Sequence, residues 1–190
     1  MTGGSGAIGP TPRRPGPPEG TPTVFAADEQ SDVTVDLDRL VALAQAVLKD
    51  RKIKGDCELA ITFVDTEAIT ELNKQFMDED HATDVLAFPI DDELVETGRS
   101  PDSGTTGPDR PEPEPGEVPI LLGDVMICPA VAAENARTNN KTTDDELALL
   151  VVHGILHVLG MDHADPDEEK AMFSLQEELL DRLYRTSSAG

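Results

Sequence analysis

Apolar and polar positions along this chain fall into blocks that read as separate elements. Val33 and Val35 mark a short strand at the start of the patterned region. Asp36 suits the cap of a helix over about residues 37–50, where Leu37, Leu40, Val41, Ala44, Val47 and Leu48 recur at helical spacing. Leu59, Ile61 and Phe63 then alternate with Glu58, Ala60 and Thr62, the pattern of a half-buried strand. Asp65 opens a second helix with Ile69, Leu72 and Phe76 on one face, and polar, turn-like residues 77–83 follow it. Val85–Phe88 is a short apolar strand stopped by Pro89, and residues 118–127 form another, broken or bulged near Gly123. Pro129 fits the first turn of a helix to about Arg137. Asp144–Gly160 reads as a strongly apolar helix. Asp165, Pro166 and Glu168 then supply cap, first turn and capping-box acid for a last helix to about residue 184. Strands in the first two-thirds with helices around them predict one domain of α/β or α+β layered type.

Composition changes this picture at three places. Residues 1–31 are dominated by Gly, Pro, Ser and Thr, with little to bury, and predict a disordered N-terminal tail. Residues 91–117 carry nine acids against two arginines, among many Gly and Pro, and predict an acidic inserted loop within a domain spanning 32–185. Residues 186–190 make a short C-terminal tail. No run of about 18 apolar residues exists, so a membrane span is not expected. Arg13 and Arg14 are not followed by an apolar stretch, so no secretory signal is expected either. Cys57 and Cys128 have no CxxC partner and read as small buried residues, with a reducing cytoplasm as the default location.

Fifteen Lys and Arg stand against 38 Asp and Glu, a net charge of −23. That balance argues against a generic nucleic-acid binder, which draws its affinity from Lys and Arg on phosphates. An RNA partner would need local basic residues, bound cations, salt screening or another protein. The run Lys49, Arg51, Lys52 and Lys54 could touch RNA, although a helix-end charge cluster facing water is the commoner case.

The candidate chemistry is concentrated in one window. Three of four histidines lie in His153-Gly-Ile-Leu-His157-Val-Leu-Gly160-Met-Asp-His163. His153 and His157 are one helical turn apart and project from one face. Gly160 suits the left-handed residue that ends a helix, after which the chain can turn back and present His163. Three imidazoles leave a fourth coordination position for water, the arrangement of a catalytic zinc site, where the bound water becomes a nucleophile near neutral pH. The spacing matches the extended zinc-protease signature except that Gly154 stands where the protease carries its general-base Glu. Asp84 and Asp124 could orient a ligand histidine or act as turn residues, Asp162 reads as a turn residue, and His81 as an exposed histidine. Arg137 and Lys141, just ahead of the histidine helix, are candidates for stabilising developing negative charge, against a solvated surface role.

The window His153–His163 resembles the signature of the YbeY family of metal-dependent endoribonucleases. Val158 and Met161 replace the family's Leu and Tyr. Thr83-Asp84-Val85-Leu86-Ala87-Phe88-Pro89, Leu122-Gly123-Asp124-Val125-Met126-Ile127 and the pair Leu72-Asn73 are similar to further family motifs in the same order, so the likeness covers roughly residues 33–184. The resemblance implies an α+β fold with a central mixed sheet of about four strands packed with helices. It implies one zinc ion per chain on His153, His157 and His163, which form the expected catalytic and metal site. It further implies cleavage of single-stranded RNA rather than DNA, maturation of the 3′ end of small-subunit ribosomal RNA, a role in ribosome quality control, and ribosomal or small-subunit protein partners in the cytoplasm. Many family members carry an Arg where this chain has Met77, and another cation, such as Lys74 or Arg137, could supply that charge. The competing readings are a zinc metallopeptidase using another carboxylate as base, and a non-catalytic ribosome assembly factor whose metal holds the helix end.

Overall fold

The computed structural model describes residues 20–90, 119–161 and 165–186. The insert at 91–117, His163 and Asp162, residues 1–19 of the expected tail and residues 187–190 lie outside the described residues. Among the described residues four strands, β1 (Thr23–Asp28), β2 (Cys57–Phe63), β3 (Val85–Pro89) and β4 (Ile120–Ile127), form one sheet in the order β1-β2-β4-β3. β1, β2 and β4 are parallel, and β3 runs antiparallel to β4 at the far edge. Among the described residues five helices surround the sheet: α1 (Leu37–Asp50), α2 (Thr66–Met77), α3 (Pro129–Thr138), α4 (Thr143–Val158) and α5 (Pro166–Leu180). A π-helical turn over Asp181–Arg185 extends α5. The fold is α+β, a single domain on an open mixed sheet, as the resemblance implied.

Asp36, Asp65 and Asp165 cap their helices as the sequence predicts, and Thr142 caps α4, which starts at Thr143, one residue ahead of the expected Asp144. Asp36 accepts from the backbone N–H of Arg39 at 3.1 Å, and Asp65 from that of Ala68 at 2.8 Å. Thr142 accepts from Asp145 N–H at 3.1 Å, and one oxygen of Asp165 takes both Asp167 N–H and Glu168 N–H at 2.9 Å. Each cap satisfies a donor that the helix itself cannot.

One element differs from expectation. The strand expected at Val33–Val35 is a loop, and the edge strand β1 lies at Thr23–Asp28, within the stretch read as tail. The loop is held by Gln30, whose side chain donates to Val33 C=O and accepts from the N–H groups of Asp32 and Val33. In β1 only Val24 is buried, so the strand is held mainly by its ladder to β2. Side-chain periodicity carries little trace of a strand fixed by backbone bonds.

Alternation in β2 builds the main core. Cys57, Leu59, Ile61 and Phe63 point to one face, where α1 and α4 pack side by side, and α5 lies against α4. The opposite face is covered near β3 and β4, where Ile69 and Leu72 of α2 meet Leu86, Phe88 and Met126. Cys128 belongs to that second cluster and Cys57 to the first; both are free and buried. Burial, and then the neighbouring Asp56 carboxylate, push the Cys57 thiol up, so it stays protonated and unreactive. Phe76, expected on the packed face of α2, is half-exposed at the helix end and meets the Phe88 ring edge-on at 4.9 Å.

Two glycines let α4 lie directly on β4. The β2–β4 register passes from Glu58↔Leu121 to Leu59↔Gly123, so Leu122 is the extra residue of a bulge at the expected place. Gly123 has φ +151°, and a Cβ there would strike the Phe88 carbonyl and crowd Val158. Farther along the contact, a Cβ on Gly154 would stand 2.5 Å from Val125 Cγ1. Both Val125 and the α4 side chains around it are fully buried, so nothing can give way. Gly154→Ala is therefore expected to destabilise the fold by about 1–3 kcal/mol, the usual cost of overpacking, despite alanine's better helix propensity. Chemical denaturation checks it; a midpoint at or above wild type would mean that α4 does not rest on β4 this closely.

Candidate functional site

Helix α4 is apolar almost all round, with ten of its side chains or backbone positions buried. Because Gly154 faces the sheet, His153 and His157 stand on a flank of the helix, and both are partly exposed. Their Nε2 atoms are 3.1 Å apart, and the rings meet at 72° with centroids 4.6 Å apart. Two nitrogens in a tetrahedral metal site, with bonds of about 2.0–2.1 Å, are separated by about 3.3 Å. The pair thus fits two ligands of one ion. The helix ends as predicted: Gly160 takes φ +82°, its N–H reaches His157 C=O at 2.9 Å, and Met161 N–H reaches Leu156 C=O at 3.0 Å. His163, the third expected ligand, lies outside the described residues two positions beyond Met161. Among the described residues no group of three His, Cys, Asp or Glu side chains gathers at ligand spacing.

The partner that orients His153 was not foreseen. Gln176 of α5 is buried, and its Oε1 lies 3.0 Å from His153 Nδ1. An amide oxygen only accepts, so Nδ1 carries the proton and Nε2 presents its lone pair beside His157. Phe173, one turn earlier on α5, lies nearly parallel to the His153 ring, with centroids 6.3 Å apart. A signal was present in the sequence: Gln176 interrupts the apolar stripe Met172, Leu179 and Leu180.

The other candidates lie elsewhere. Asp84 accepts from the Asn135 side chain at 3.0 Å, and Asp124 is exposed on β4 opposite Phe88, so neither bonds to His153 or His157. His81 is exposed and 3.2 Å from Glu79, while its C=O accepts from the buried Asn73 at 2.8 Å. Lys74 pairs with Asp80 at 3.4 Å, and Met77 is half-exposed at the end of α2. Arg137 and Lys141 precede the start of α4, and His153 stands ten residues past Thr143, about 15 Å along the helix axis. Lys141 is 3.8 Å from Glu146, whose carboxylate is nearly buried and has one oxygen without a hydrogen-bond partner. Gly154, where the protease signature needs its base, has no room for any side chain.

Two predictions follow from these contacts. Gln176→Leu leaves the His153 Nδ1–H without its acceptor at a partly exposed site, at a cost of about 1 kcal/mol. In nitrogen-15 NMR the His153 ring should change from the Nδ1–H form to a tautomer mixture, and Gln176→Glu should restore it; an unchanged ring in the Leu variant would remove Gln176 from the site. Burial raises the Glu146 pKa above its ordinary 4.5, Lys141 partly offsets this, and Asp84 adds to it. The folded state therefore holds this proton more tightly than the unfolded chain, a contribution present below pH 4.5 and lost as pH rises through the folded value. Glu146→Gln should flatten that decline in denaturation curves measured upward from pH 4.5.

Comparison with known proteins places this geometry in a family. The model described as Endoribonuclease YbeY matches residues 25–184. A Beutenbergia cavernae protein named Endoribonuclease YbeY is 47% identical over 151 residues, covering 80% of this chain and 91% of that protein. Endoribonuclease YbeY of Salinispora tropica is 42% identical over 151 residues, covering 80% of this chain and 90% of that one. Among solved structures, the Thermotoga maritima protein TM1509, determined in solution, superposes with a TM-score of 0.56 at 27% identity, covering 88% of this chain and 93% of that one. The match over nearly all the described residues, with the histidine helix inside it, shows that the chain belongs to the Endoribonuclease YbeY family.

Proposed function

We propose that this chain is a metal-dependent endoribonuclease that cuts single-stranded RNA, matures the 3′ end of small-subunit ribosomal RNA and serves ribosome quality control in the cytoplasm. The observation that carries the reading is the 3.1 Å approach of His153 Nε2 and His157 Nε2, with Gln176 behind His153. His153, His157 and His163 would hold one zinc ion. When bound, the ion supplies a Lewis acid for a phosphoryl oxygen and lowers the pKa of a coordinated water.

The remaining work falls to the chain. Gln176 keeps the His153 proton on Nδ1 and so keeps Nε2 aimed at the site. Gly154 brings α4 onto β4, which turns the two rings to the partly exposed flank, where an RNA strand can reach them. Phe173 offers a partly exposed ring beside His153, suited to the face of an unpaired base. A peptidase would need a base other than the residue after His153, since that position, Gly154, is packed against Val125. Among the described residues no helix is long and apolar enough to cross a membrane.

The test joins metal analysis to turnover. Purified wild type should carry about one transition metal per chain, and His153→Ala should lose it. Wild type should cut a single-stranded RNA, leave casein intact and stop when a chelator is added. Metal-loaded wild type that leaves RNA whole would overturn the nuclease reading. The same result with a fold that collapses in His157→Ala would favour an assembly factor instead.

A further inference from the structure

Away from the histidines, a groove of about 730 Å³ opens between the start of β1 and the end of α1. Pro22, Ala46 and Ile53 form apolar walls, and Lys49, Lys52 and Lys54 stand around it. All three lysines are exposed, and none belongs to an ion pair among the described residues. Nearby Arg51 and Asp50 do pair, and Asp50 is held by Arg182 at 2.7 Å. Asp50 is thus already engaged, while the exposed Asp56, two residues past Lys54, offsets part of the patch. A helix dipole accounts for Lys49 in the last turn, but Lys52 and Lys54 lie beyond it.

The loop holds these lysines in a defined shape. Lys52 N–H reaches Lys49 C=O and Ile53 N–H reaches Leu48 C=O, both at 3.0 Å, which folds Ile53 back onto the core. Lys52 takes the left-handed conformation, φ +59°, at the position where glycine or asparagine usually ends such a helix. A long cation is therefore set at the turn where an uncharged residue would fit more easily.

The groove also faces the same end of the sheet as the histidines. α4 runs antiparallel to β4, with Gly154 over Val125 and Val158 near Gly123. Val125 is level with Ile61 and Ala26, three residues past Thr23 at the groove. In the plane of the sheet Thr23 is therefore roughly 10 Å along and roughly 10 Å across from Val125, on which α4 rests.

We propose that Lys49, Lys52 and Lys54 line a secondary contact for the phosphate backbone of single-stranded RNA, seated beside the site of the proposed nuclease, on which reading it rests. Charge complementarity selects this occupant: on a chain of net charge −23, an isolated patch of unpaired lysines attracts a polyanion at short range. Salt near 0.1 M screens the repulsion of the distant acids within about 10 Å and leaves direct phosphate contacts in place.

The experiment measures binding of a short labelled single-stranded RNA by fluorescence anisotropy, with the full chain and chelator present, at several salt concentrations. Each phosphate contact contributes about 0.7 to the slope of log affinity against log salt, so the Lys49→Gln, Lys52→Asn, Lys54→Gln triple variant should bind more weakly at low salt with a slope shallower by about 2. Between 50 and 200 mM salt, wild type should then lose roughly 20-fold more affinity than the variant. The long-range repulsion is nearly common to both proteins, so the difference reports the groove. Should the triple variant fail to fold, Lys54→Gln alone should lower the slope by about 0.7. Equal slopes, tighter RNA binding by the variant, or no binding by wild type would overturn the proposal; equal slopes are also the outcome if the groove serves a protein or the chain's own acidic residues. Cleavage by metal-loaded wild type with equal slopes sinks the groove alone, whereas a slope difference without cleavage sinks the nuclease reading alone.

Discussion

The site depends on how closely α4 can approach β4. A helix carrying ordinary side chains would stand off a sheet by their bulk. Here Gly154 removes the side chain at the point of contact with Val125, and Gly123 does the same for the Phe88 carbonyl and Val158. The helix settles against the strand, and its other positions are placed by the 100° step between residues. His153 and His157 emerge on a flank, close enough for their Nε2 atoms to share one ion. The glycine that removes the peptidase base is the same residue that seats the helix.

Polar groups near this contact are handled in opposite ways. Gln176 lies in the apolar interface of α5, but its carbonyl has a partner in His153, so its burial is compensated and fixes a tautomer. Glu146, two turns before His153 on α4, is nearly as buried and lacks a hydrogen bond on one oxygen. Lys141 at 3.8 Å offsets part of that burial, and the carboxyl retains its proton above the usual range. A satisfied polar group orders the site, while the unsatisfied one makes stability depend on pH.

The acidity of the chain is also unevenly distributed in effect. Among the described residues, Lys74 and Lys141 are engaged by carboxylates. Lys49, Lys52 and Lys54, in no ion pair among the described residues, gather at the end of α1, where the turn holds them around apolar walls. A net charge describes the field far from the protein, but a strand lying on the surface responds to the charges within a few ångströms.

Much of this was legible in the chain itself. Asp36, Asp65 and Asp165 begin their helices because a cap depends on bonds within three residues. The turn at Gly160 and the shared face of His153 and His157 follow from local geometry in the same way. The alternation of Leu59, Ile61 and Phe63 marked β2 because each residue's burial is set by its own side chain. β1 escaped notice because it is an edge strand held by backbone pairing to residues 35 positions away, with only Val24 buried. Gln176 escaped because its role exists only once α5 folds back on α4, 23 residues from His153. The meaning of Gly154 likewise changed: in sequence it was a missing carboxylate, and in the fold it is the space that Val125 fills. Local bonds can be read from neighbouring residues, but contacts between distant segments acquire their chemistry only when packing brings those segments together.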